Sequence, residues 1–246
     1  MIDGPTLVSD ALDAGVVLEE VVVEPGCPDG LIARAEAAGA IVRRVAVGVL
    51  ARASDAVNPQ PVAAIARLGT VSPDEAAAAA GPLALVLVAV GDPGNAGALL
   101  RSAEAAGGGA VLFCDGSVDP YAPKCVRASA GSVFRLAVIR SASAGEALRA
   151  LGAAGLTTVA TLPHGAQAYD EADLAGSVAF VLGSEAHGLP EAVAEQVERT
   201  LTIPMPGRTQ SLNVAMAGTI LCFEALRQRR NRLDGTPPEA AGCSNS

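Results

Sequence analysis

The chain has 246 residues, half of them hydrophobic, 17% charged and only 2% aromatic, with a formal net charge of −9. That is enough apolar material for one large or two modest globular domains. The acidic balance excludes a broadly basic nucleic-acid-binding surface, so any grip on RNA or DNA must come from a local patch. Cys27, Cys114, Cys125, Cys222 and Cys243 form no CxxC pair and no zinc spacing. Their odd number predicts reduced thiols in a cytoplasmic protein. His164 and His187 are the only histidines, too few for a His-rich metal site, and no metal is expected. No apolar run reaches the roughly 18 residues of a membrane span, and no signal peptide is expected.

Residues 1–69 read as a small α/β unit. "TLVSDALDAG" has helical spacing, "LEEVVVEP" is a strand, and "GLIARAEAAGA" is a helix stopped at Gly39. "AIVRRVAV" predicts the next strand, "VGVLARASDA" a short helix, and "NPQPVAAIARL" an extended return. Residues 70–82 mix Pro, Ser and acidic residues with an alanine run. They read as a linker, with a short helix allowed around 73–80.

From residue 83 to 233 apolar strands alternate with helices. "LALVLVAV", "AVLFCDG", "RLAVIR", "TTVATLP", "SVAFVL" and "RTLTIPM" are the strands. Helices are expected over 95–106, in "APKCVRASAGSVF", "SAGEALRALGAAG" and "EAVAEQV", and along the last segment, 211–233. Such alternation predicts an α/β fold with a mostly parallel sheet covered on both faces. The tail, 234–246, has the composition of disorder.

Three strand ends carry unusual polar residues: "GDPGNAGALLR" (91–101), "LGSEAHGLP" (182–190) and "IPMPGRTQSLNVAMA" (203–217). Ligands of open α/β sheets bind off the carboxyl ends of strands, so three such ends predict one composite site. Each has a plainer reading. Asn95 is a sufficient helix cap, and a lone helical arginine such as Arg101 is most often solvated. Glu185 serves equally as a pocket carboxylate or as a charge facing a helix dipole. Ser211 reads as the N-cap of the long helix. The stretches match no GxGxxG fingerprint, P-loop or GxSxG elbow.

Taken together, the three stretches resemble the three motifs of the SpoU/TrmH family of RNA 2′-O-ribose methyltransferases, in the SPOUT superfamily. Asn95, Gly97 and Arg101 match N-x-G-x-x-x-R. Gly183, Glu185 and Gly188 match G-x-E-x-x-G. Ile203, Pro204, Met205, Gly207, Ser211, Leu212, Asn213 and Val214 match the third motif. Residues 121–136 resemble the segment between the first and second motifs, and residues 1–69 more loosely resemble the family's L30e-like RNA-binding domain.

The resemblance implies a deep trefoil knot in the C-terminal domain and a homodimer through the last helix. It implies S-adenosylmethionine as cofactor, held near Thr161, Leu162, Gly183, Ile203, Met205, Ser211 and Leu212. Arg101 then lies beside the attacking 2′-hydroxyl, as general base or as a clamp. A guanidinium, with a pKa above about 12, fits the clamp more easily. Asn95, Glu185, Ser211 and Asn213 complete the catalytic set. Lys124, Arg127 and Arg208 are candidate RNA contacts, with arginines 34, 43, 44, 52 and 67 a further patch. Ribosomal RNA is the expected substrate. Transfer RNA, self-protection against a ribosome-targeting antibiotic, and a catalytically silent RNA-binding or assembly protein are the rivals. Relatives often carry an extra basic N-terminal segment, so the chain is expected to have either a naturally short start or a truncated one.

Overall fold

A computed structural model of the chain describes residues 1–53, 59–162, 165–184, 187–209 and 211–234, leaving the expected tail outside the described residues. The elements are β1 (Ile2–Asp3), α1 (Pro5–Asp13), β2 (Leu18–Val23), α2 (Asp29–Ala37), β3 (Ile41–Arg44), α3 (Leu50–Ala53), β4 (Val62–Ala66) and α4 (Pro73–Ala79). They continue with β5 (Leu83–Leu87), α5 (Pro93–Ala105), β6 (Ala110–Cys114), α6 (Pro123–Ala128), a 3-10 turn (Ser132–Phe134), β7 (Ala137–Ala142) and α7 (Ala144–Ala153). The chain closes with β8 (Thr157–Thr161), β9 (Gln167–Ala168), β10 (Val178–Leu182), α8 (Glu191–Ala194), β11 (Arg199–Thr202) and α9 (Val214–Leu233).

Two sheets result. The first has strand order β1-β4-β2-β3 and mixes parallel with antiparallel pairs. The second has order β7-β6-β5-β10-β8-β11-β9, and its pairs are parallel throughout. Strand periodicity sends alternate side chains to opposite faces of this sheet. Leu83, Leu85 and Leu87 enter one core with Val111, Phe113, Phe180, Leu99 and Leu221. Ala84 and Val86 enter the other with Leu112, Val181, Leu148 and Leu151. Because both faces are covered, every residue of β5, β6 and β10 is buried. Burial also pushes the thiols of Cys114, Cys125 and Cys222 up to about 12, which keeps them protonated at neutral pH.

Several expectations change. The short helix allowed within the linker forms, and its burial is what the sequence did not announce: Ser72 and Glu75 form a reciprocal capping box at the start of α4. Ala76, Ala77 and Ala80 then bury against the large sheet, because a run of small, good helix formers can pack closely. The helix expected over 122–134 breaks after Ala128, where Ala130 and Gly131 take left-handed backbone at φ 47° and 82°. The helix read in "EAVAEQV" closes after four residues. The two-residue β9 carries no apolar pattern to announce it.

The first sheet docks on the second unit through its edge. Leu7 and Phe134 pack against the cores of both. Asp3 on β1, with only 8% of its side chain exposed, pairs with Arg127 on α6 at 3.5 Å. No helix among the described residues is long and apolar enough to cross a membrane.

Candidate active site

The switch in strand order lies at β5, whose neighbours are β6 and β10. Off the carboxyl ends of β8, β10 and β11 lies a cavity of about 460 Å³. It is lined by Thr161 and Leu162 after β8, by Gly183, Ser184, His187, Gly188 and Leu189 after β10, and by Ile203 and Met205 after β11. Ser211, Leu212, Val214 and Ala217 close it from the start of α9, and Leu182 from the end of β10. All seven residues expected to hold the methyl donor, Thr161, Leu162, Gly183, Ile203, Met205, Ser211 and Leu212, line this one cavity. Leu182, Ser184, His187, Leu189, Val214 and Ala217 also line it, although the sequence reading assigned none of them to the donor. Most are ordinary apolar residues, and nothing in their type signals a pocket.

The cavity owes its shape to local backbone. The loop after β10 folds back on itself, with Ser184 N–H donating to Gly188 O at 3.0 Å and Gly188 N–H returning to Ser184 O at 2.8 Å. A Cβ on Gly183 would collide with the backbone of Gly188 and Leu189, so only glycine permits this closure. Glu185, within the loop, lies outside the described residues.

Two capping assignments change. Asp92, not Asn95, caps α5: its Oδ1 accepts from Asn95 N–H at 2.8 Å, while Pro93 opens the helix. Its carboxyl is held below the usual range, first by that backbone bond and also by Lys124. Asn213, not Ser211, caps α9: its Oδ1 accepts from Ala215 N–H at 2.9 Å and Met216 N–H at 3.3 Å. Asn213 Nδ2 donates to Asn95 Oδ1 at 2.9 Å. The side chains freed from, or shared with, capping thus bridge the first motif to the third.

Gly97 sits where α6 crosses α5, and a Cβ there would meet the Cys125 carbonyl oxygen at 2.7 Å. The first motif therefore needs glycine for close helix packing. Arg101 is exposed on α5 and does not line the cavity. Of the expected RNA contacts, Lys124 pairs with Asp92 at 3.6 Å and Arg127 with Asp3. Arg208 is exposed. Arg34, Arg43 and Arg67 pair with Asp13, Glu20 and Glu19. Among the described residues, no group of three or more His, Cys, Asp or Glu gathers as a metal site.

The cavity suits a compact ligand of small-molecule size. Its volume falls in the range of about 300–1,000 Å³ usual for small-molecule sites. Among the described residues that line it, none is Lys or Arg, so a cationic sulfonium meets no like charge from them.

Residues 82–223 match the family model described as the SpoU rRNA methylase family. The chain is 31% identical over 225 residues to the 23S rRNA (guanosine(2553)-2'-O)-methyltransferase RlmP of Bacillus subtilis, spanning 91% of this chain and 86% of that one. It is 35% identical over 222 residues to the 23S rRNA (guanosine-2'-O-)-methyltransferase RlmB of Xanthomonas axonopodis, spanning 86% and 89%. The crystal structure of an AdoMet-bound rRNA methyltransferase from Sinorhizobium meliloti superposes with a TM-score of 0.82 at 33% identity, over 92% of this chain and 85% of that one. The chain belongs to the SpoU rRNA methylase family.

Proposed function

We propose that this chain transfers a methyl group from S-adenosylmethionine to a ribose 2′-hydroxyl of ribosomal RNA. One observation carries the reading: the seven residues that the family resemblance assigns to the donor come from four separate segments and line one cavity. S-adenosylmethionine, when bound, supplies a methyl group already activated by its sulfonium. The chain's own residues then have to place the ribose and ease loss of the hydroxyl proton. Arg101 clamps the neighbouring phosphate and stabilises the developing alkoxide, work suited to a planar, permanently charged fork. Asn95 and Asn213 hold the two motifs in register through their side-chain bond. Ser211 orders the donor loop, and the role assigned to Glu185 is to hold the guanidinium or its own loop in place.

The site is completed by a second copy of the chain. Arg101 does not line its own cavity, and α9 exposes Met216 (62%) and Phe223 (45%) seven residues apart. That spacing puts them on one helix face suited to pairing. The strand order β5-β10-β8-β11, with α9 returning over α5, supports a chain knotted as a deep trefoil. Residues 1–69 form the RNA-recognition domain. Lys124 and Arg208 reach RNA phosphate: Arg208 is exposed, and the exposed Lys124–Asp92 pair is weak enough in water to exchange. Arg127 instead ties the two units together through Asp3.

The test is transfer of labelled methyl to unmodified ribosomal RNA and, separately, to transfer RNA, beside Arg101→Ala. Label in ribosomal RNA, mapped to a 2′-oxygen and lost in the variant, is expected. Label confined to transfer RNA would move the substrate, and no calorimetric donor binding would sink the reading.

A further inference from the structure

Helices α5 and α9 meet along a seam that starts at the first and third motifs and runs beyond them to Ser102 and Thr219. Asn95, Leu99 and Ser102 occupy one face of α5 at i, i+4 and i+7. Opposite them, Asn213 bonds Asn95, Gly218 lies under Leu99, and Thr219 Oγ1 lies 2.7 Å from Ser102 Oγ. Thr219 Oγ1 also donates to Ala215 O at 2.7 Å. A hydroxyl has one proton, so Thr219 has none left for Ser102. Ser102 must therefore donate to Thr219, and the bond has a fixed direction running from α5 to α9.

Arg101 precedes Ser102 by one residue, about 100° around the helix. The hydroxyl bond thus acts on the turn of α5 that carries the guanidinium. Asn95–Asn213 pins the helix start, and Ser102–Thr219 pins it about two turns on. With both in place α5 cannot roll against α9. The consequence is geometric. With side chains, a helix has a radius of about 5–6 Å, so a roll of about 10° moves the outer end of Arg101 by about 1 Å. A misplacement of about 1 Å is the scale that costs a reaction about a hundredfold. α9 is the right anchor, because Val214 and Ala217 on its first turns wall the donor cavity. Its exposed Met216 and Phe223 face is the one assigned above to the second copy. Fixing α5 to α9 therefore sets Arg101 against either copy's cavity.

We infer that Ser102 and Thr219 form a positioning pair for methyl transfer, setting the rotation of α5 and with it the aim of Arg101. This rests on Arg101 acting in the reaction as proposed above. The experiment compares Ser102→Ala, Thr219→Val and the double variant with the conservative Thr219→Ser, in the full chain. The readouts are kcat per donor-binding site, KM for RNA, donor affinity by calorimetry, and thermal midpoint. Each single disabling variant is expected to lower kcat about tenfold, part of the hundredfold scale above, with donor affinity unchanged. The double variant should fall no further than the singles, because one bond is being broken. Thr219→Ser, which keeps the hydroxyl, should retain wild-type kcat. If kcat per donor-binding site stays at the wild-type level in both Ser102→Ala and Thr219→Val, the pair is structural only and the inference fails. If Arg101→Ala itself retains full activity, the inference and the site reading fall together; a dead Arg101→Ala beside fully active Ser102→Ala and Thr219→Val overturns the inference alone.

Discussion

The two sheets are built from the same small aliphatic residues, yet they present themselves differently. In the four-stranded sheet α1 and α2 cover one face around Val8, Leu31 and Ile32. On the other, Ile41 (59% exposed) and Ile65 (48%) flank Glu20 in cross-strand register. Arg34, Arg43 and Arg67 of this unit lie in exposed ion pairs. The seven-stranded sheet has both faces covered, and its central strands are wholly buried. A sheet packed on both sides holds the loops at its strand ends with little slack, which chemistry at sub-ångström tolerance requires. A half-covered sheet with exchangeable surface charges suits recognition, where contacts with water and acids are traded for contacts with RNA.

The comparison breaks first at Arg101. Arg101→Ala and Arg101→Lys should each lower methyl transfer by about 10²–10³, the usual loss of a preorganised electrostatic donor, while donor binding measured by calorimetry is unchanged. Full activity in the lysine variant would mean a point charge suffices. Next, Gly183→Val should overpack the fold-back at the end of β10, at a cost of about 1–3 kcal/mol. Donor affinity is the readout, and unchanged binding would mean the loop is not the rigid wall described here.

A smaller effect is expected across the divide. Arg44 and Arg52 are exposed in the four-stranded unit. Replacing both with alanine should raise KM for RNA a few-fold and leave kcat alone. The slope of log affinity against log salt should shallow by about 0.7–0.9 for each lost phosphate contact. A fall in kcat instead would erase the proposed division of labour.

The smallest effect is acid sensitivity. The Arg135 hydrogen bonds hold the Glu104 carboxyl below its ordinary 4.5, and the Asn95 N–H holds Asp92 below 3.8. A carboxyl depressed on folding adds stability above its ordinary value and loses it as pH falls through the folded one. The thermal midpoint should therefore decline as pH drops below about 4.5. Glu104→Gln should flatten the decline, and an equal decline in that variant would assign it elsewhere.

Much of the site was legible because the motifs lie at strand ends, where polar residues and glycine interrupt otherwise continuous apolar runs. The alternation of β5 to β11 with helices was legible for the same reason, since burial on both faces leaves little freedom in composition. The caps were not. Asp92 and Asn95, or Ser211 and Asn213, are close in sequence and equally able to cap. Only the helix start decides which side chain caps and whether its remaining groups are free to bridge. The burial of the linker helix was hidden for a related reason. "AAAAA" (76–80) offers no large apolar residue, and its burial depends on how closely the helix can approach the sheet.

By itself, then, the amino-acid order determined the alternation of apolar strands with helices, the parallel arrangement of the large sheet and seven of the residues that line the cavity. These follow from periodicity and from backbone chemistry that is local. Tertiary structure alone decided which polar partners those residues take. Asn95 meets Asn213 across 118 residues, Ser102 meets Thr219 across 117, and Arg127 turns to Asp3 across 124. Such pairings depend on the crossing of helices and the docking of sheets, and these are fixed by the packing of the whole core.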